Sequence, residues 1–192
     1  MNTQFTFASP DITNLYTNIL VKETKTILAN TMKYHQTDPQ TQKEILRWYD
    51  VITWQNYFTH NWGIITQKDG LTMGAPSSGL IAELFLQRIE NTHLARLSHK
   101  HKIINYFRYV DDILIIFDSA HSDIQTILTD FNALQPNLHF TAEVKRDQTI
   151  NYLDISIHKT PDLRTSIYRK PTFTDIIIPY NSNHPHSTNT LL

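Results

Sequence analysis

The feature that most constrains the fold is a pair of adjacent aspartates between two strongly apolar segments. Segments 103–110 and 113–117 are rich in aromatic and β-branched residues, and Asp111-Asp112 is the polar interruption between them. Residues of these types favour strands, so the pattern predicts a β-hairpin with both carboxylates at its tip. Two unit charges about 4 Å apart repel by about 4 kcal/mol at an effective dielectric of about 20. The pair therefore indicates either a solvated turn, since aspartate is common in turns, or a site that holds a cation.

A cation at such a pair would be a hard divalent ion, because its ligands would be carboxylate oxygens. Mg²⁺ is the natural candidate, with Mn²⁺ as a substitute. Two ions about 3.5–4 Å apart, as two-metal phosphoryl or nucleotidyl transfer requires, need a third carboxylate. Asp11 is the candidate, because it lies between the apolar-leaning FTFASP and ITNLYTNI, at the expected end of a first strand. On its own, Asp11 is equally well explained as the N-cap of a short helix.

Helical periodicity predicts four helices around this hairpin. They are expected over 22–35, over roughly 39–60 after an Asp38 N-cap, from Ser77 or Ser78 onward, and after a capping box of Ser122 and Gln125. Strict alternation in LHFTAEVK predicts a half-buried strand over 138–145. The turn RDQT then leads to a return strand through 153–157, and Pro161-Asp162 turns into a third strand through Ile167 and Tyr168, in an antiparallel meander. Helices on one face of a largely antiparallel sheet make this an α+β fold.

Composition limits the class of protein. The chain has 192 residues, of which 40% are apolar and 18% charged, as in an ordinary globular domain. It has no cysteine, which removes disulfides and thiolate metal sites, and its net charge of −1 counts against a free-standing nucleic-acid binder. The opening MNTQFTFASPDI is unlike a signal peptide, and the sequence contains no apolar run of about 18 residues. We therefore expect an intracellular protein that is neither secreted nor membrane-bound.

Five segments of the chain stand in the order of the conserved palm blocks of reverse transcriptases, and together they span most of its length. They are DITNLYTNI, GLTMGAPSSGLIAELFLQRIE, FRYVDDILIIF, LHFTAEVK and NYLDISI. The sequence is most similar to the polymerases of Penelope-like retroelements, particularly in the segments LYTNI, MGAPSS and YRKPTFTDIIIPYNSNHP. The Tyr-Val-Asp-Asp block is highly specific for reverse transcriptases, and the block that contains MGAPSS is moderately specific. LHFTAEVK and NYLDISI are informative only together with the other blocks.

The resemblance implies an RNA-directed DNA polymerase, a nuclear enzyme that extends a DNA primer on an RNA template with deoxynucleoside triphosphates by two-metal nucleotidyl transfer. Asp11, Asp111 and Asp112 would be the catalytic metal ligands, with Asp11 bridging both ions and the backbone carbonyl of Ile12 nearby. Because adjacent strand residues point to opposite faces, Asp112 is the less secure direct ligand.

The resemblance also implies nucleotide-binding residues. Tyr16 follows Asp11 by five positions, where these polymerases hold a ring against the sugar; the ring would collide with a ribonucleotide 2′-hydroxyl. A core tyrosine is the alternative. Met73-Gly74-Ala75-Pro76 resembles the turn that packs against the incoming nucleotide and template base, although many relatives have glutamine at the Met73 position and proline at the Gly79 position. Glycine permits close backbone approach there, and proline stiffens the exit into the helix.

Two basic positions are weaker candidates. Lys145 is a possible general acid toward the leaving pyrophosphate, although an exposed strand-end lysine is the favoured reading. Arg169-Lys170 could meet the phosphates of the primer strand.

The resemblance assigns residues 1–170 to the palm of a partial reverse transcriptase domain and 171–192 to the start of a thumb or connection, expected to be poorly ordered. Only ten residues precede Asp11, so the fingers and most of the thumb are expected to be missing, as in a fragment or decayed copy. Three alternatives stay open. They are a catalytically silent palm remnant that acts as a scaffold or binding module, an RNA-dependent RNA polymerase, which Tyr16 and Val110 disfavour, and a three-aspartate nuclease, which would not explain Tyr16 or the glycine turn.

Overall fold

The fold is α+β, as predicted. The computed structural model describes residues 5–143, 149–160 and 162–171. In chain order the elements are β1 (Phe5–Thr13), α1 (Leu15–Asn18), α2 (Val21–Tyr34), α3 (Pro39–Trp54), β2 (Tyr57–His60), β3 (Gly63–Thr66), α4 (Ser78–His101), β4 (Ile103–Tyr109), β5 (Asp112–Asp118), α5 (Ile124–Asn132), β6 (His139–Glu143), β7 (Thr149–Tyr152), β8 (Ile155–His158) and β9 (Arg164–Ile167).

The central sheet has the strand order β4-β5-β1-β6, and all its pairs are antiparallel. β5 lies inside this sheet and reads DILIIFD, a nearly continuous apolar run. Strand side chains alternate between faces, which places Ile113, Ile115 and Phe117 on one side and Leu114 on the other. All four side chains are buried. The sheet is therefore covered on both faces along β5.

Helices cover one face of the sheet. The main core joins β1 and β5 to α4 through Phe85, Leu86 and Leu97 and to α5 through Ile127 and Phe131. In α5 the buried residues recur at helical spacing, so one stripe of the helix faces the sheet. The prediction of helices on one face is confirmed.

The opposite face is partly covered by a second, three-stranded sheet with the order β7-β8-β9. Leu114 packs there against Ile150 and Ile157, with Phe7 and Tyr152 beside them. The predicted meander exists, but its pairing differs from the prediction, because β6 pairs with β1 and not with the strand that follows it. The single return strand expected over 153–157 is also wrong, since Tyr152 pairs with Ile155 across a tight turn.

Two further local predictions are corrected. The helix expected to reach residue 60 ends at Trp54, and Tyr57–His60 and Gly63–Thr66 form a hairpin whose strand residues are all exposed. The predicted capping box at Ser122 is replaced by Asp123, whose side chain accepts a hydrogen bond of 3.0 Å from the Thr126 amide. A carboxylate is a strong N-cap, which explains the shift by one residue.

Among the described residues, none of the helices combines the length and hydrophobicity needed to span a membrane. The predicted thumb or connection segment, 171–192, lies outside the described residues apart from Pro171.

Candidate active site

The two adjacent aspartates lie at the tip of the β4–β5 hairpin. Tyr109 pairs with Asp112, so the connection between the strands is the two-residue turn Val110-Asp111. Val110 has a φ of 55°, which is an uncommon and strained conformation for a β-branched residue. Asp111 therefore belongs to the turn, whereas Asp112 is the first residue of β5.

Asp11 lies directly opposite Asp112 across the β1–β5 ladder. On its other side Asp11 faces Thr141 of β6, so its backbone is held in the middle of the sheet. The amide of Ile12 donates a hydrogen bond of 3.2 Å to the Asp111 carbonyl, which fastens β1 to the hairpin turn. Two carboxylates separated by 101 positions in the chain, 112 − 11 = 101, are thus brought together by strand register.

Asp11 and Asp112 both line an open cleft. The cleft is bounded by residues of β1, β6 and β7, of the β7–β8 turn and of the segment after β9. They are Ser9, Thr141, Ala142, Ile150, Asn151, Leu153, Tyr168 and Lys170. Asp111 is not among the lining residues. Of the two hairpin aspartates, the structure therefore directs Asp112 into the cleft beside Asp11, although alternation had made Asp112 the less secure ligand.

The electrostatics of the cleft favour a cation. Partial burial, followed by the negative charges of Asp111 and Asp112, raises the pKa of the Asp11 carboxyl above its ordinary value. Partial burial and the charge of Asp111 raise the pKa of Asp112 in the same way. The positive charge of Lys170 acts against both shifts. The carboxylates are thus less stable as anions because they are partly buried and also lie close to one another, and a bound cation would relieve this.

The residues present suit a hard divalent ion. Asp11 and Asp112 supply carboxylate oxygens, and neither forms a salt bridge with any residue that the structure describes. Within the same described ranges, however, no group of three or more acidic or histidine side chains is arranged to hold a metal ion. The structure thus brings together two of the three predicted ligands and leaves Asp111 at the turn.

Tyr16 lies in α1, just beyond the end of β1. Its ring is half-buried and packs against the main core, so a core role and a role at the sugar are both compatible with its position. The Tyr16 carbonyl accepts a hydrogen bond of 2.7 Å from the Leu71 amide. This bond joins α1 to the chain that leads into Met73-Gly74-Ala75-Pro76, the predicted nucleotide turn.

The predicted nucleotide turn lies on the surface before α4. Met73 is 64% exposed, and Pro76 is exposed one residue before the N-cap of α4, Ser77. Gly74 has a φ of 87° with open space around it, so the backbone conformation explains the glycine there. The turn is therefore accessible to a ligand. The position of Lys145 lies outside the described residues.

Asn56 supports this turn, and sequence reasoning did not identify it. Its buried side chain donates to the Gly70 carbonyl at 3.3 Å and accepts from the Thr72 hydroxyl. The Thr72 carbonyl in turn accepts from the Ser78 hydroxyl at 2.6 Å. Because Asn56 lies between two apolar segments far from the turn in sequence, the pattern contained no signal of this contact.

Comparison with known proteins identifies a family for this chain. A family model described as "Reverse transcriptase (RNA-dependent DNA polymerase)" matches residues 2–149. No curated protein sequence matches the chain.

Telomerase structures have a similar fold. Apo telomerase from Candida tropicalis, truncated from its C-terminal domain, aligns with a TM-score of 0.64 at 14% identity, over 85% of this chain and 36% of that one. Telomerase from Candida tropicalis in complex with a TWJ fragment of telomeric RNA gives 0.64 at 15% identity, over 90% and 32%. Telomerase from Candida albicans in the same kind of complex gives 0.65 at 14% identity, over 86% and 30%. The chain spans about a third of the length of these proteins.

Proposed function

Because the chain belongs to the reverse transcriptase (RNA-dependent DNA polymerase) family, we propose that it is the palm of an enzyme that extends a DNA primer on an RNA template. The observation that carries the proposal is that Asp11 and Asp112 lie opposite each other in the sheet and line the same open cleft. An RNA partner is supported by the similar fold of a telomerase whose structure contains a fragment of telomeric RNA. The substrates would be deoxynucleoside triphosphates.

In this proposal Asp11, Asp111 and Asp112 together would hold two Mg²⁺ ions. Bound Mg²⁺ would lower the pKa of the primer 3′-hydroxyl and neutralise the triphosphate and the departing pyrophosphate. The protein's own contribution is mainly position and charge. The Ile12 amide fixes the turn through the Asp111 carbonyl, and Lys170 gives the cleft a positive charge suited to phosphate.

The remaining predicted residues would select the nucleotide. The Tyr16 ring would exclude a 2′-hydroxyl, and Met73, Gly74 and Pro76 would pack against the base pair. Their support is the exposed turn and its hydrogen-bonded connection to the Tyr16 segment through Leu71. Lys145 stays a candidate general acid on sequence grounds alone.

We also propose a retroelement origin of the Penelope-like type. Its support is the similarity of the segments LYTNI, MGAPSS and YRKPTFTDIIIPYNSNHP to the polymerases of such elements. An element that copies itself at chromosomal DNA would act in the nucleus. Sequencing the genomic DNA on both sides of the reading frame tests the origin, since repeated copies with shared ends are expected of an element, and a single-copy locus is not.

A catalytically silent palm remnant is the second candidate. The observation that favours it is that no group of three acidic or histidine side chains in the described part of the chain is arranged as a metal site. A thermal-shift titration with Mg²⁺ separates the candidates. A rise in melting temperature that is lost in Asp11→Asn supports the polymerase, whereas no response to Mg²⁺ supports the silent remnant.

The direct test of function is primer extension with a DNA primer annealed to an RNA template. It should be run with the chain alone and with whatever flanking segments the gene encodes, because the chain spans about a third of the matched structures. Metal-dependent extension that disappears in Asp111→Asn is expected. Extension that persists in that variant would remove Asp111 from the proposed site.

A further inference from the structure

A buried guanidinium lies directly behind the hairpin turn. Arg108 of β4 has only 6% of its side chain exposed, on the helix-covered face of the sheet. It contacts two glutamates of α4. Nη1 and Nη2 donate to the two oxygens of Glu83 at 2.8 and 3.0 Å, and Nε and Nη2 donate to those of Glu90 at 2.5 and 3.1 Å.

The remaining N–H of Arg108 is directed at the turn itself. Nη1 also donates to the Val110 carbonyl at 3.2 Å. A guanidinium has five N–H groups in a rigid planar fork, and these five contacts use all of them. A lysine at this position has three donors and no planar fork. The arrangement is therefore specific for arginine.

The network is charge-assisted and partly desolvated. Burial by itself would lower the pKa of Arg108, but hydrogen bonds with Glu90 and Glu83 raise it above the ordinary value. The Arg108 contact likewise lowers the pKa of the Glu83 carboxyl. Tyr106 adds a hydrogen bond of 2.9 Å from its hydroxyl to Glu90. Such a network is over-determined, so it can hold a neighbouring group in a conformation that costs energy.

That neighbouring group is the turn. The strained Val110 precedes the Asp111-Asp112 pair, and two consecutive turn carbonyls are each held by a donor from outside the turn. Arg108 holds the carbonyl of Val110, and the Ile12 amide holds the carbonyl of Asp111. The first support comes from α4 through Glu83 and Glu90, and the second comes from β1, which carries Asp11.

Resting on the proposed function, we propose that Arg108 is a positioning residue, which couples α4 to the catalytic turn and holds Asp111-Asp112 in the orientation required for nucleotide addition. Arg108 does not touch the reacting atoms. It acts through the Val110 carbonyl. Because α4 begins at Ser78, directly after the predicted nucleotide turn, the same helix supports both sides of the site.

The test compares Arg108→Lys with Arg96→Lys, a matched control at an exposed position on α4. Single-turnover incorporation, with enzyme in excess over a primed RNA template, measures a rate constant that does not depend on the active fraction, and an amplitude that does. Arg108→Lys is expected to lower the rate constant about tenfold or more with the amplitude unchanged, as removal of a supporting partner of a metal site typically does. Glu83→Gln should have a smaller effect in the same direction. A lowered amplitude with an unchanged rate constant would show a purely structural role and overturn the proposal.

A second measurement covers the case in which the wild-type protein does not extend primers. That result would contradict the proposed function. The role of Arg108 would then be tested by two measurements on folded variants: Mn²⁺ affinity by calorimetry, and amide hydrogen exchange at residues 110–112. Weaker Mn²⁺ binding by about tenfold and faster exchange in Arg108→Lys, with Arg96→Lys unchanged, support positioning. Equal affinity and equal exchange in both variants overturn it. If Arg108→Lys fails to fold, Glu83→Gln decides by the same two criteria.

Discussion

Asp11 of β1 and Asp112 of β5 are direct cross-strand neighbours on the two inner strands of the central sheet, beside the hairpin turn. Like charges in directly opposed strand positions destabilise a sheet. The fold therefore tolerates an arrangement that local energetics disfavour. Partial burial, followed by the charges of the neighbouring aspartates, raises the pKa values of both carboxyls above their ordinary value. Residues kept at such a cost are typical of functional sites.

The first prediction concerns this cost. Asp112→Asn should stabilise the metal-free protein by roughly 0.2–1 kcal/mol, because it removes a like charge opposite Asp11. Urea unfolding in the presence of a chelator measures the change. Asp118→Asn at the other end of β5 is the matched control and should destabilise, since the Asp118 carboxylate accepts from the Ala120 amide at 3.0 Å and pairs with His121 at 2.8 Å. Lower metal-free stability of Asp112→Asn than of the wild type would contradict the account.

The second prediction concerns the chain before the nucleotide turn. A Cβ on Gly70 would lie 2.6 Å from the Thr17 carbonyl oxygen, and its φ is 87°. Gly70→Ala should therefore destabilise by more than about 1 kcal/mol. Gly79 is the control: it lies in the first turn of α4 with nothing within 4 Å of its Cβ position, so Gly79→Ala should stabilise by about 0.5–1 kcal/mol. Chemical unfolding of both variants decides, and equal effects would mean that the Gly70 contact is absent.

The third prediction concerns the sugar. Tyr16→Val should raise ribonucleotide incorporation relative to deoxynucleotide incorporation, because the smaller side chain leaves room for a 2′-hydroxyl. The measurement is the ratio of kcat/KM for the two nucleotides in an active protein. Tyr34→Val, at a position 82% exposed near the end of α2, is the control and should leave the ratio unchanged. An unchanged ratio in Tyr16→Val as well would assign Tyr16 to the core.

The fourth prediction concerns pH. Hydrogen bonds from Lys100 and His101 hold the pKa of Asp130 below its ordinary value. A carboxyl with a lowered folded-state pKa contributes stability above its unfolded pKa of about 3.9 and loses it as pH falls through the folded value. Stability of the wild type should therefore fall more steeply than that of Asp130→Asn as pH drops below about 4. Thermal unfolding between neutral and acidic pH measures this, and parallel curves would exclude the linkage.

The fold class and the helix-covered sheet could be predicted because they depend on local periodicity. The strand alternation around Leu138 and Phe140 and the N-cap at Asp38 were correct for the same reason. The β2–β3 hairpin was not predicted, because its turn is made by Asn61 and Trp62 with positive φ, and tryptophan is not a turn signal. The pairing of β6 with β1 was missed because register between distant strands is set by tertiary packing.

The residues of the candidate site could be named from the sequence, whereas their geometry could not. The type and order of Asp11, Asp111 and Asp112 pointed to them, but which hairpin aspartate enters the cleft depends on where the turn falls. Val110-Asp111 forms that turn only with a strained φ, which no propensity argument favours. Arg108 and Asn56 were missed because their partners are remote in sequence.

The central claim is that Asp11 and Asp112 form the catalytic centre. Single-turnover incorporation of one deoxynucleotide onto a DNA primer paired with RNA, in Mg²⁺, tests it most directly. The wild type and Asp118→Asn should both extend the primer, whereas Asp112→Asn, although folded and at least as stable without metal, should give no product above the enzyme-free background. Extension by Asp112→Asn at the wild-type rate would contradict the account.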